Sequence, residues 1–155
     1  MKFSSREDIE APISYVFTRL SDVPAFERLA MRRGVQLRRV DRMSDIAVGA
    51  AWEFEFTFRG KLRKGRAQLT DFQPPERPKA EVMSNGIDGA TTIELISLSP
   101  GRTRVMVGLE MQPKSIAARV LVQSLRLSKN SLTKKFKARI ADFAEQIEER
   151  YRAGN

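Results

Sequence analysis

Lys114-Ser-Ile-Ala-Ala-Arg-Val-Leu-Val-Gln-Ser-Leu-Arg-Leu-Ser128, continued by KNSLTKKFKARIADFAEQIEERYR to Arg152, contains neither Gly nor Pro. Leu121, Leu125, Leu132, Phe136, Ile140, Phe143 and Ile147 recur in it at steps of three, four or seven residues, the spacing of one helical face. The stretch predicts one long amphipathic helix of roughly 39 residues and roughly 58 Å. A helix of that length needs a broad apolar partner surface, and the middle of the chain supplies one.

From Val35 to Pro113 the pattern is mostly of period two, which predicts strands near 35–42, 50–59, 62–73, 79–87, 90–98 and 102–112. Turn chemistry separates them at Gly60-Lys61, at Pro74-Pro75 with Pro78, at Asp88-Gly89 and at Pro100-Gly101. Breaks this short join antiparallel strands, because parallel ones need crossovers of about a dozen residues or more. Upstream, residues 2–10 predict a strand placing Phe3, Ser5, Glu7 and Ile9 on one face. Two short helices follow, one after Pro12 with Val16, Phe17 and Leu20 inward. The other is capped by Ser21-Asp22, with Phe26, Leu29 and Ala30 inward, and is ended by Gly34.

The clearest strand is Trp52-Glu-Phe-Glu-Phe-Thr-Phe58, with Trp52, Phe54, Phe56 and Phe58 on one face and Glu53, Glu55 and Thr57 on the other. The expectation is that the stripe of the last helix covers this aromatic row, since sheet and helix each have one face that must leave water. The chain is thus expected to be α+β, a curved antiparallel sheet wrapped around a long C-terminal helix. Its 155 residues, 41% of them hydrophobic, suit a single domain.

There is no cysteine and no histidine, which removes disulfides, thiolate zinc sites, cysteine nucleophiles and every triad built on an imidazole. Ser124, Ser128 and Ser131 therefore lack a base and read as helix-edge polar residues, and no catalytic residue is assigned. Gly60 and Gly65, or Gly86 and Gly89, match neither the Walker nor the dinucleotide spacing, so neither a cofactor nor a metal is expected. The charged start, Met1-Lys-Phe-Ser-Ser-Arg-Glu-Asp8, and the lack of a long apolar window predict a cytoplasmic protein.

The element order, with Glu10-Ala-Pro12 before the first short helix, Leu20-Ser-Asp22 after it, Gly60 following Trp52–Arg59, and Pro74-Pro75 after Asp71-Phe72, resembles the SRPBCC superfamily. That group takes in START-like, polyketide cyclase/dehydratase-like and pollen-allergen-like proteins. The resemblance implies a helix-grip fold with a cavity between sheet and C-terminal helix that commonly holds an apolar ligand. Binding or carriage of a small hydrophobic molecule, whether lipid, polyketide-like or aromatic, is the activity it favours. A cyclase/dehydratase-like enzyme with one carboxylate as acid or base is the alternative.

On this reading Trp52, Phe54, Phe56 and Phe58 line the cavity or simply pack as core. Leu69, Met83, Val105 and Val107 come from neighbouring strands and Leu125, Leu132 and Phe136 from the helix. Glu7 points inward if its face is buried, but the reading that comes first places it near the sheet edge or beside an Arg; turned inward, it and Arg66 would orient a ligand. The net charge of +9, with Arg59, Lys61, Arg63, Lys64 and Arg66 around one hairpin and Lys129, Lys134, Lys135, Lys137 and Arg139 on the helix, has three readings. A merely solvated basic face comes first, contact with an anionic membrane or lipid headgroup second, and nucleic acid third. Finally, Ile116, Val120 and Leu127 fall opposite Leu125, Leu132 and Phe143, so the first half of the helix is apolar on two sides. Either the short helices or a loop cover the second side, or the helix starts later than Lys114, or the stripe marks a homodimer contact or a mobile cavity entrance touching membrane.

Overall fold

The computed structural model describes residues 1–73, 79–84 and 88–154, with 79–84 as backbone only. The expected turn at Pro74-Pro75 and Pro78, together with Gly86 and the end of the 79–87 strand, lies outside the described residues.

Seven strands form one antiparallel sheet in the order β1-β7-β6-β5-β4-β3-β2. They are β1 (Lys2–Ile9), β2 (Gln36–Arg39), β3 (Ala51–Phe58), β4 (Lys61–Phe72), β5 (Lys79–Ser84), β6 (Asp88–Ser99) and β7 (Arg102–Gln112). Between β1 and β2 stand α1 (Ile13–Leu20) and α2 (Val23–Arg32), and the chain ends in α3 (Ile116–Leu127) and α4 (Lys129–Arg152). This is the α+β helix-grip arrangement expected from the sequence.

Three local readings change. The expected 35–42 strand shortens to β2, and the Asp88-Gly89 break is instead the start of β6, where Gly89 pairs with Ser84 and Met111. The β3–β4 turn is Arg59-Gly60, both at positive φ (52° and 75°), because Phe58 pairs directly with Lys61. Two left-handed residues match the twist of a tight hairpin.

The larger correction concerns the C-terminal segment. It is two helices joined at Ser128, whose φ of −108° and ψ of 17° leave the helical region. Ser128 and Asn130 are residue types that favour helix ends over interiors, so the continuity of the apolar stripe is interrupted without Gly or Pro.

Register sorts the faces. Phe3, Ser5, Glu7 and Ile9 of β1 lie opposite Leu109, Val107, Val105 and Thr103 of β7, and this face carries the core. Ile9, Ala11, Val16, Leu95, Val105, Ala144 and Ile147 form a buried cluster closed by the sheet, α1 and the end of α4. Thr103, also fully buried, donates its hydroxyl proton to the Ala11 carbonyl at 2.8 Å and so satisfies the bend after β1. α4 lies along β1. The aromatic strand β3 is five strands away in the sheet order, roughly 24 Å at about 4.8 Å per strand, which is why α4 does not cover it.

Candidate functional site

α2 begins where Asp22 accepts a hydrogen bond from Ala25 N–H at 3.2 Å and Pro24 sits in the first turn, where its missing N–H costs nothing. Its inward residues are Phe26, Leu29 and Ala30, yet no residue of α2 is fully buried, whereas Val16 of α1 is. α2 therefore stands off the sheet. The space beneath it is a cavity of about 340 Å3. Ile9, Ile93, Val105 and Val107 form its floor, Ile140, Phe143, Ala144 and Ile147 of α4 one wall, and Leu20 with the inward face of α2 the rest. Polar groups enter the lining as Arg33, Arg139, Asp142 and Gln146. The Phe26 and Phe143 rings, 5.7 Å apart, close one side against a smaller space of about 70 Å3.

Of the residues selected from sequence, Val105 and Val107 line this cavity and the others do not. Leu69 is buried beneath the 41–50 loop, donating to the Ala50 carbonyl and accepting from Gly49 N–H, both at 2.8 Å. Leu125 is buried in α3 and Leu132 half-buried in α4, while Phe136 packs against Phe3 with centroids 5.9 Å apart. Met83 pairs in register with Gln68 and Ala90, positions that alternate with Leu69; its side chain lies outside the described residues. Arg66 does not point inward: it is exposed and pairs in register with Glu53 on the outer face. Glu7 is half-buried in a separate polar depression at the β1 edge that also holds Lys137.

The aromatic row is half-buried along its whole length. Phe54 and Phe56 stack at 6.0 Å, the Arg39 guanidinium lies 5.4 Å from the Trp52 centroid, and that of Arg59 lies 5.3 Å from Phe58. Cations thus cap both ends of the row, an arrangement favoured by the ring quadrupole. Phe54 folds over Gly65, where a Cβ would collide with its ring. Asp41 anchors the loop before β3, accepting from Arg39 Nε at 2.7 Å and from Ala51 and Met43 N–H, each at 2.8 Å. The Arg39 bond above all, then the Ala51 amide, holds its carboxyl well below the usual carboxylate range. On the outer face Asp8 is likewise lowered, chiefly by its hydrogen bond from Arg104.

Cavity residues outside the sequence-based site include Phe26, Leu29 and Ala30 of α2 and Ile140, Phe143, Ala144 and Ile147 of α4. The inward faces of α2 and of the second half of α4 were the available signal.

No family model matches the chain, and no curated protein matches it in sequence. Solved structures do match in fold. A Streptomyces aromatase/cyclase aligns over all of this chain and 98% of its own, with a TM-score of 0.70 at 12% identity. A START superfamily protein from Mycobacterium smegmatis aligns over 86% of this chain and 95% of its own, with a TM-score of 0.54 at 11% identity. An Hsp90 activator from Plasmodium falciparum aligns over 74% and 76%, with a TM-score of 0.52 at 21% identity. At these identities the likeness is one of fold alone, an α+β helix-grip arrangement shared with these structures. Among the described residues no helix is long and apolar enough to cross a membrane.

Proposed function

We propose that this helix-grip protein binds a small, mainly apolar molecule in the cavity between α2, α4 and the β1-β7-β6 end of the sheet, and that it carries the ligand unchanged. The observation that supports this most is the stand-off of α2 over an apolar space of about 340 Å3. That is the low end of the range for ligand sites, roughly 300–1,000 Å3. At roughly 30 Å3 per water it equals about eleven waters, which points to a ligand of on the order of a dozen heavy atoms. The walls offer burial of apolar surface, and Arg33, Arg139, Asp142 and Gln146 supply the polar groups of the lining. A mainly apolar ligand carrying a polar group fits that lining.

The fold likeness to an aromatase/cyclase keeps a catalytic reading in view, and Asp142 is the carboxylate among the cavity residues. Both readings require the cavity to accept a molecule. Calorimetric titration with 2-naphthol and with decanoate tests this, one probe being aromatic and one aliphatic. Binding is expected for at least one, and is expected to vanish in Ala30→Trp and in Ile93→Phe, which fill the space from α2 and from the sheet. Neither probe binding, or both fillers binding like the parent, contradicts the proposal. Recovering the probe chemically altered would favour the enzyme over the carrier.

A further inference from the structure

α3 leaves an apolar stripe in water. Ile116, Val120 and Leu127 are 82%, 62% and 90% exposed, and at about 100° per residue they lie within roughly 40° of one another. The opposite face, Ala118, Val122 and Leu125, is already buried, so the exposed stripe is a second surface and not the sheet-facing one. Arg119 and Arg126, both exposed, flank it on one side. On the other flank is Ser124, whose hydroxyl accepts from Arg59 Nη1 at 2.6 Å, holding the β3–β4 hairpin's guanidinium beside the stripe. The surrounding sequence has one sign of charge: eight Lys and Arg from Lys114 to Arg139, and no Asp or Glu from Met111 to Ala141.

We propose that α3 lies flat on an anionic bilayer surface, with Ile116, Val120 and Leu127 entering the headgroup layer and Arg119, Arg126 and Arg59 meeting lipid phosphates. An apolar face bordered by arginine is the pattern of interfacial helices, whose attachment combines apolar burial with attraction to anionic lipid. The charge distribution separates this occupant from the others. A second copy meeting the stripe would set arginine against arginine with no acidic residue in the segment to pair them. A nucleic acid backbone would satisfy the arginines but leave the stripe in water. None of the three apolar residues lines the cavity, so the docking stands whether or not the cavity takes a ligand.

The test is co-sedimentation of the full chain with phosphatidylcholine vesicles, with and without phosphatidylglycerol, beside binding to a thymidine homopolymer and sedimentation equilibrium of the protein alone. Binding is expected with phosphatidylglycerol vesicles, falling at least about tenfold in Ile116→Gln/Leu127→Gln and several-fold in Arg119→Gln/Arg126→Gln. Because the stripe is exposed, the apolar variant should melt with the parent. Four results would overturn the proposal: no vesicle binding, equal binding by the apolar variant, homopolymer binding as tight as vesicle binding, or a dimer that Ile116→Gln/Leu127→Gln dissociates.

Discussion

The two ends of the C-terminal segment use similar amounts of apolar residue to opposite ends. From Ile140 to Ile147 the apolar residues of α4 meet the sheet floor and face α2, and Ala144 and Ile147 are fully buried. From Ile116 to Leu127 one apolar face of α3 is buried and the other is in water. Charge divides in the same way: residues 114–139 carry only cations, whereas Asp142, Glu145, Glu148 and Glu149 follow. The difference lies in the layers around the helix. α1 and α2 put structure beside α4 at the cavity end, while on α3 folding covers the Ala118, Val122 and Leu125 face and leaves Ile116, Val120 and Leu127 in water. Apolar content marks a surface that must leave water, and the neighbouring elements decide whether folding covers it.

That contrast is open to direct attack. Ile147→Ala removes a core side chain only 4% exposed and should cost about 2–5 kcal/mol in urea unfolding, whereas Leu127→Ala should stay within about 0.5 kcal/mol. Equal losses would mean that the two halves are not differently covered. Next in size, Gly65→Ala places a methyl where the Phe54 ring lies and should cost about 1–3 kcal/mol, with Trp52 fluorescence reporting the disturbed aromatic row. An unchanged midpoint would show that Phe54 simply swings away.

Asp22→Ala removes the cap of α2 and should cost about 1 kcal/mol; because α2 roofs the cavity, probe binding should weaken with it. Stability lost without any change in binding would detach α2 from the site.

The finest distinction is read from pH. Asp41, with its carboxyl depressed by Arg39 and the Ala51 amide, contributes stability that is fully present above the unfolded value of about 3.9 and is lost as pH falls through the lower folded value. Asp41→Asn should therefore be less stable than the parent at pH near 7, with the gap narrowing below pH about 4 in parallel urea titrations. A gap that is the same at both ends would remove the ionised carboxylate from the account.

The sequence exposed much of this. Alternation from Trp52 to Phe58, the Asp22 cap with Pro24, and the seven-strand count were all readable because each rests on local periodicity or turn chemistry. The break at Ser128 was not, since Leu-Ser-Lys-Asn carries no Gly or Pro and the helical spacing runs on through it. The position of the cavity was hidden for another reason. It depends on how far α2 stands from the sheet and on β3 being five strands from β1, and both are tertiary distances. Hence Trp52, Phe54, Phe56 and Phe58 lie away from the cavity under α2, while Phe26, Leu29 and Phe143, inward on their helices, line it.

Methyl-labelled NMR of the full chain during titration with 2-naphthol or decanoate reports on both ends together. Shift changes are expected at Leu29, Ile93, Val107, Ile140 and Ile147, with Ile116, Val120 and Leu127 unmoved in the absence of lipid. Changes centred instead on Leu37, Leu69 or the α3 methyls, with the cavity methyls still, would place the ligand site elsewhere and contradict the account.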